Sequence, residues 1–214
     1  MAAFDLDGTL TNGGSVFKWL RFINGNVDTF QATLWRIAPL AWGALRSGEA
    51  ADRAKESLFT SLLIGKETTK VAEQSQQFAD RHLARHTRKE YVNRLNWHLE
   101  QGHHVIIVSA SPEIYVSVVA RRLGAHAAVG TRLAQDPLGR LTGGYLGQNC
   151  RGEEKLRRLN GWIDTLGLTE KPEIYAYGNS RGDRRMLAAS NHPVDAGKLG
   201  RFGALRAYDR LSKP

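Results

Sequence analysis

A chain of 214 residues with 42% apolar and 24% charged side chains can bury one substantial core, or a core carrying a smaller insertion, which excludes the disordered and fibrous classes. The formal charge is +9, yet the basic residues are scattered over "RHLARHTRKEYVNR", "RGEEKLRR", "NSRGDRR" and "GKLGRFGALRAYDRLSK", without an interleaved aromatic recognition motif, so a solvated basic surface or a small phosphorylated substrate is favoured and no specific nucleic-acid partner is expected. The single Cys150 closes no internal disulfide, no apolar leader precedes "MAAFDLDG", and the longest uncharged apolar run, "IAPLAWGAL" at 37–45, is far short of the roughly 20 residues that span a bilayer, so a cytoplasmic protein with no transmembrane segment is expected.

In chain order, "AAFDL" (2–6) predicts a first strand. From residue 15 to about 87 no strand is legible, and apolar residues recur at helical spacing through "VFKWLRFI", "LWRIAPLAWGAL" and "AKESLFTSLLIG", which predicts an insert of several helices. Trp19, Trp35 and Trp42 read as the packing of that insert. Beyond it, "HVIIVS" (104–109) predicts a second strand, and "PEIYVSVVARRLG" a helix over about 112–123 that opens on Pro112 and stops at Gly124. "AHAAVG" (125–130) predicts a third strand, and "TRLAQDPLGRLTGGYLG" a small hairpin about its "DPLG" turn, appended to the sheet. A helix over 152–166, a strand at "EIYAYG" (173–178), a helix over 183–190 and a last strand at "HPVDA" (192–196) complete the pattern. Strands alternating with helices predict the α/β class, a parallel sheet wrapped by helices.

The chemistry concentrates at strand ends, where α/β sheets bind ligands. "FDLDGTLT" ends the first strand with two carboxylates one residue apart and a glycine that permits a sharp turn. Such a pair, Asp5 and Asp7, can divide its work, one carboxylate an ionised nucleophile and metal ligand and the other a general acid and base, once a cation and differing environments separate their pKa values. For a bare D-x-D an Asx-rich turn capping a helix is the favoured reading, but for the longer D-L-D-G-T-L-T after an apolar strand a functional role is.

The stretch resembles motif I of the haloacid dehalogenase superfamily, and three later segments extend the resemblance. "HVIIVSAS" carries Ser109, which alone also reads as a helix N-cap. "NCRGEEKLRRL" supplies Lys155 at a helix start, with Arg151 one turn earlier as an alternative for the same role. "YAYGNSRGDRRML" matches the fourth motif, a strand followed by Gly, Asn179 and, four positions on, Asp183. The likeness covers nearly the whole chain and is greatest to the phosphoserine-phosphatase-like branch. It implies a Rossmann-like core with strand order 3-2-1-4-5 formed by 1–14 and 88–214, with 15–87 as a helical cap. It further implies a phosphoric monoester hydrolase in which Asp5 forms an aspartyl-phosphate and Asp7 serves as acid and base. Ser109 and the Ala110 amide would hold phosphoryl oxygens, Lys155 or Arg151 would stabilise their charge, and Mg²⁺ would be held by Asp5, the Asp7 carbonyl, Asn179 and Asp183. Asn179 departs from the family's usual Asp and brings no charge.

His82 and His86, four apart in "RHLARHTRK", have the spacing of paired metal ligands, but no third ligand accompanies them and the surrounding charge repels cations; a solvated helical face is the expectation. The substrate expected is a small organic phosphate monoester. Glu49 with Arg46 or Arg53 is a loose parallel to the branch's amino-acid grip, whereas the apolar, arginine-flanked "LWRIAPLAWGALR" suits a phospholipid-type monoester and peripheral membrane contact.

Overall fold

The computed structural model describes residues 1–25, 48–198 and 203–211. Trp35, Trp42, Arg46 and the apolar stretch 34–46 lie outside the described residues, as does the side chain of Glu49. The chain begins with β1 (Ala2–Phe4), followed by the helices α1 (Val16–Asn24), α2 (Gly48–Leu63), α3 (Thr68–His86) and α4 (Lys89–Glu100). Then come β2 (Val105–Pro112), α5 (Glu113–Arg122), β3 (Ala127–Thr131), β4 (Leu133–Gln135), β5 (Leu141–Tyr145) and α6 (Glu153–Thr165). β6 (Tyr175–Gly178), a single 3₁₀ turn at Arg181–Asp183, α7 (Arg184–Ala188), β7 (His192–Asp195) and β8 (Asp209–Arg210) complete the described chain.

Six strands form a parallel sheet in the order β3-β2-β1-β6-β7-β8, which is the expected 3-2-1-4-5 order with β8 added at the edge. Ala2 lies opposite Val105 on one side and Tyr175 on the other. Successive side chains of a strand point to opposite faces, and the core divides accordingly. Phe4, Val105, Ile107 and Tyr177 pack into one cluster with α1 to α5, while Ala3, Ile106, Val108 and Ala176 join Cys150, Leu159, Met186 and Leu187 on the other face. Burial on both faces is why these strands read as unbroken apolar runs.

The hairpin departs from expectation. β4 and β5 pair only with each other, as a separate two-stranded sheet, and dock on α2. Gly143 has φ 82°, and a Cβ there would fall 2.3 Å from the Thr60 Cα, so the strand reaches the helix backbone to backbone. The linker at 65–68 adds pairing: Gly65 N donates to Leu141 O (2.8 Å) and Thr68 N to Gly139 O (3.0 Å).

Where the insert leaves and rejoins the sheet the two linkers lie side by side. Asn12 N donates to His86 O (2.7 Å), Arg88 N donates to Leu10 O (2.8 Å), and Thr11 bridges antiparallel to Thr87. α4, whose Tyr91, Leu95 and His98 are buried, follows this stem.

Two buried histidines are held neutral. His98 meets the Tyr177 hydroxyl at 2.8 Å and the His103 ring at 2.8 Å; burial, then His103, pushes it down to about 3. His82, stacked on Phe78 and only 3% exposed, is pushed down to about 4 by burial and then by His86 and Lys18. This corrects the solvated face expected for the pair, because α3 turns His82 inward. The unfolded chain takes up protons below the ordinary value of 6.5 that the folded chain refuses, so this stability is present above that pH and is lost as pH falls toward 4 and 3. Urea unfolding should therefore show stability lower by about 1–3 kcal/mol at pH 5 than at pH 7, with a smaller difference in His98→Gln. An equal pH dependence in that variant would mean that His98 is not among the groups responsible.

Candidate active site

The loop after β1 folds back at once, with Gly8 N donating to Thr11 O (2.8 Å) and Thr11 N to Leu6 O (3.0 Å). Gly8 has φ 89°, and a Cβ there would lie 2.0 Å from the end of the Asn179 amide; no other residue lets the loops after β1 and β6 approach so closely. Buried Arg88 donates to the Gly8 carbonyl and to Ala196 O, fixing the turn from the foot of the insert.

Around this turn Asp5, Asp7, Lys155, Asn179 and Asp183 converge, and the second motif reaches it through Ser111. Asp5 is 6% exposed; its Oδ1 lies 2.8 Å from Lys155 Nζ and its Oδ2 accepts from Thr9 Oγ1 at 3.2 Å. Lys155, 2% exposed, reaches Asp183 Oδ1 at 2.5 Å with the same ammonium. Burial followed by the Asp183 charge pushes Asp5 up to about 7, against the pull of Lys155. Burial also acts on Asp183, but Lys155 and the Ser180 hydrogen bonds outweigh it and hold that carboxyl below the usual range. Lys155 is raised in turn, since the two carboxylates overcome its own desolvation.

Asp7 points the other way. Its Oδ2 accepts from Ser15 Oγ (2.8 Å) and from Ser111 Oγ, and the Tyr115 hydroxyl backs Ser15 at 2.6 Å. Its Oδ1 is buried without a partner. Desolvation raises its pKa, with the serine hydrogen bonds opposing. The carboxyl is thus oriented through one oxygen, while the other is left for a proton or a ligand.

Asn179 lies 3.1 Å from both the Asp7 carbonyl oxygen and Asp5 Oδ2. With its nitrogen turned inward the amide donates to both; with its oxygen inward, three oxygens converge, a donor set suited to a hard cation. The residues present therefore fit Mg²⁺. Asp183 Oδ2 is engaged by the Asn179 N, Ser180 N and Ser180 Oγ at 3.1, 2.9 and 2.8 Å, so it bears on this position through the Asn179 backbone and through Lys155. Among the described residues, no three His, Cys, Asp or Glu side chains gather to hold a metal.

Ser109 is buried in β2, where its Oγ accepts from Ser111 N at 3.1 Å; it caps no helix, and Pro112 occupies the position before α5. Arg151 is one-third exposed, with Nη1 3.5 Å from Asp52, far less enclosed than Lys155.

One member of the site has no sequence signal. Lys55, on α2, donates to Ala110 O (2.6 Å) and Asn149 Oδ1 (2.8 Å). Burial, opposed by Asp52 and Asp7, brings its pKa to about 8. Asn149 donates on to Asp52 (2.7 Å), so the insert is polar-bonded to the rim of the site. In sequence Lys55 is an ordinary lysine of an amphipathic helix, and Ser15 before α1, Ser111 in β2 and Tyr115 in α5 are equally unmarked.

A sequence model of the haloacid dehalogenase-like hydrolases matches residues 2–188. The chain belongs to that family. It is similar to Protein CicA of Caulobacter vibrioides, 31% identical over 194 residues that cover 89% of this chain and 83% of that one. It is also similar to a histidinol-phosphatase of Neisseria meningitidis serogroup C, 25% identical over 198 residues, 91% of this chain and 88% of that one. Among solved structures, a phospho-aspartyl intermediate analogue of phosphoserine phosphatase superposes with a TM-score of 0.61 at 20% identity, covering 91% and 84% of the two chains. That likeness shares the fold. The protein is a phosphoric monoester hydrolase of the haloacid dehalogenase-like type.

Proposed function

We propose that the protein is a Mg²⁺-dependent phosphatase that hydrolyses a small organic phosphate monoester through an aspartyl-phosphate on Asp5. The observation that carries this reading is the division of labour between the two carboxylates: Asp5 is gripped by Lys155 and faces Asn179, while Asp7 is held by Ser15 and Ser111 with one oxygen unpartnered. An Asp5 oxygen attacks phosphorus, the bond from phosphorus to the alcohol oxygen breaks, and Asp7 gives that oxygen its proton. Asp7 then takes a proton from water, whose oxygen attacks the same phosphorus and returns the Asp5 carboxylate. The Ser109 hydroxyl and the Ala110 amide hold phosphoryl oxygens and Lys155 offsets their charge, with Arg151 at the rim. Asp5, the Asp7 carbonyl and Asn179 would hold Mg²⁺, Asp183 supporting them from behind. When bound, the cation neutralises charge on the nucleophile and the phosphoryl group.

Residues 15–87 are assigned as a cap over a core of 1–14 and 88–214, on the strength of the paired stem and the Lys55 contacts. The names of the histidinol-phosphatase and phosphoserine phosphatase relatives support a small phosphorylated substrate. The phospholipid-type alternative, and with it peripheral membrane contact, rests on residues 34–46 and their composition alone. No described helix is long and apolar enough to cross a membrane, and a cytoplasmic location is part of the same proposal.

Turnover of p-nitrophenyl phosphate, histidinol phosphate, phosphoserine, glycerol phosphates and a lysophosphatidate, with Mg²⁺ and with chelator, tests the reading. Chelator-sensitive hydrolysis of a soluble monoester is expected; no turnover of any of them would leave a phosphate-binding protein. Because Asn179 contributes no charge, Asn179→Asp should lower the Mg²⁺ concentration for half-maximal activity by about tenfold, the effect of some 1.4 kcal/mol. An unchanged requirement would place Asn179 outside the cation's ligand set.

A further inference from the structure

A cleft of about 550 Å³ opens between α1 and α3, lined by Lys18 and Arg21 from the first helix and by Arg81, His82, Arg85 and His86 from the second, over Phe22 and Phe78. No acidic side chain is among these residues, and none of them belongs to the site built on Asp5. The basic groups stand one turn apart on each helix, 18 and 21 facing 81 and 85. They are close enough to meet, since Lys18 Nζ lies 3.3 Å from His86 Nε2. Like charges gathered in this way repel one another, and the concave wall focuses their field outward. The C-terminal end of α3 accounts for Arg85 and His86, which complement its dipole. The last turn of α1 accounts for Arg21 in the same way, but neither helix end accounts for Lys18, or for Arg81, a turn earlier.

The floor of the cleft supplies an independent observation. His82 is 3% exposed and its Nε2 is buried without any hydrogen-bond partner. A buried polar nitrogen left unpaired is costly, and a ligand atom in the cleft would relieve it. The aromatic faces are already taken: His82 stacks on Phe78 at 5.2 Å, and the Arg81 guanidinium lies 5.0 Å over Phe22. These contacts and the excess of basic groups favour a compact ligand recognised by charge and hydrogen bonding over a stacked nucleobase. Guanidinium groups pair with phosphoryl oxygens in bidentate fashion, and a lysine supplies a point charge beside them.

We propose that this cleft is a second anion site, separate from the catalytic centre, that binds a compact ligand with at least two negative charges of the phosphoryl or pyrophosphoryl class. The His82/His86 pair, which has the spacing of a metal site, is on this view part of an anion site. The test is calorimetric titration of the full chain with inorganic pyrophosphate, in chelator so that no cation links the ligand to Asp5. One saturable site is expected, retained in Asp5→Asn and weakened at least tenfold in Arg81→Gln/Arg85→Gln, whose side chains are exposed and whose aryl phosphatase activity should stay at the wild-type level as a check of folding. The His82 ring signals in proton–nitrogen NMR should shift over the same titration. Unchanged affinity in the double variant, loss of binding in Asp5→Asn instead, or His82 signals that stay put at saturation would each overturn the proposal and leave a solvated basic face.

Discussion

Asp5→Asn is expected to lower turnover by ~10⁴-fold or more while leaving the unfolding transition cooperative, the loss that follows when a nucleophile is removed from a site whose other parts remain. The amide keeps the shape of the carboxyl and can still accept from Lys155 and Thr9, so the defect belongs to the chemistry. Removing a buried carboxyl whose pKa is raised to about 7 also relieves desolvation, and the metal-free variant should be at least as stable as the parent at neutral pH. Single-turnover labelling gives the sharper readout, since the parent should retain phosphate on the protein after an acid quench and the variant should not. Wild-type turnover in variant protein shown by mass spectrometry to be free of deamidation would remove Asp5 from the mechanism.

Lys155→Met should damage both stability and catalysis. Its ammonium is the shared partner of Asp5 and Asp183, at 2.8 and 2.5 Å, in a site where lysine and Asp183 are 2% and 1% exposed. Deleting one member of a buried ionic cluster leaves charge uncompensated, a loss of ~3–5 kcal/mol. Urea unfolding near pH 7.5 should reveal it, with partial recovery near pH 5 as Asp5 takes up a proton. Adding Asp183→Asn to Lys155→Met should restore part of the stability but none of the activity, which is expected to fall ~10²–10³-fold for loss of a charge at the transferring group. Arg151→Ala, at the rim, should do much less of either; the reverse ranking would make Arg151 the phosphate-facing cation.

The core was legible because burial on two faces writes itself into composition. "VIIV" in β2 and "YAYG" in β6 are apolar or aromatic throughout, and each is followed by the polar residues that turn into the site. α4 escaped because "KEYVNRLNWHLE" continues a basic stretch, and its buried Tyr91, Leu95 and His98 are spaced among charges that mask the stripe. β8 is two exposed residues, and pairing by main-chain hydrogen bonds leaves no trace in side-chain pattern. The hairpin was legible as a hairpin but not in its docking, since only the close approach of Gly143 to Thr60 says which surface receives it. Of the site, the residues at strand ends were visible as a spaced set. Lys55, Ser15 and Tyr115 were not, because helices of the insert and of the sheet's flank carry them in from distant positions, where nothing local distinguishes them from solvent-facing or core residues.

The antiparallel contact of Thr11 with Thr87, and the bond from Asn12 N to His86 O at 2.7 Å, give the insert a two-stranded neck. Chain hung from such a neck meets a closure entropy that grows only with the logarithm of its length, about 0.6 kcal/mol for each doubling. A short reverse turn in its place would rejoin the two sides, but it would strip α1, α2 and α3 from one face of the sheet and Ser15 from Asp7. The chain between the two sides of the neck can thus change in length at little entropic cost, provided that the faces packed on the sheet and the Ser15 and Lys55 contacts are kept, and variation is steered to the parts that touch neither.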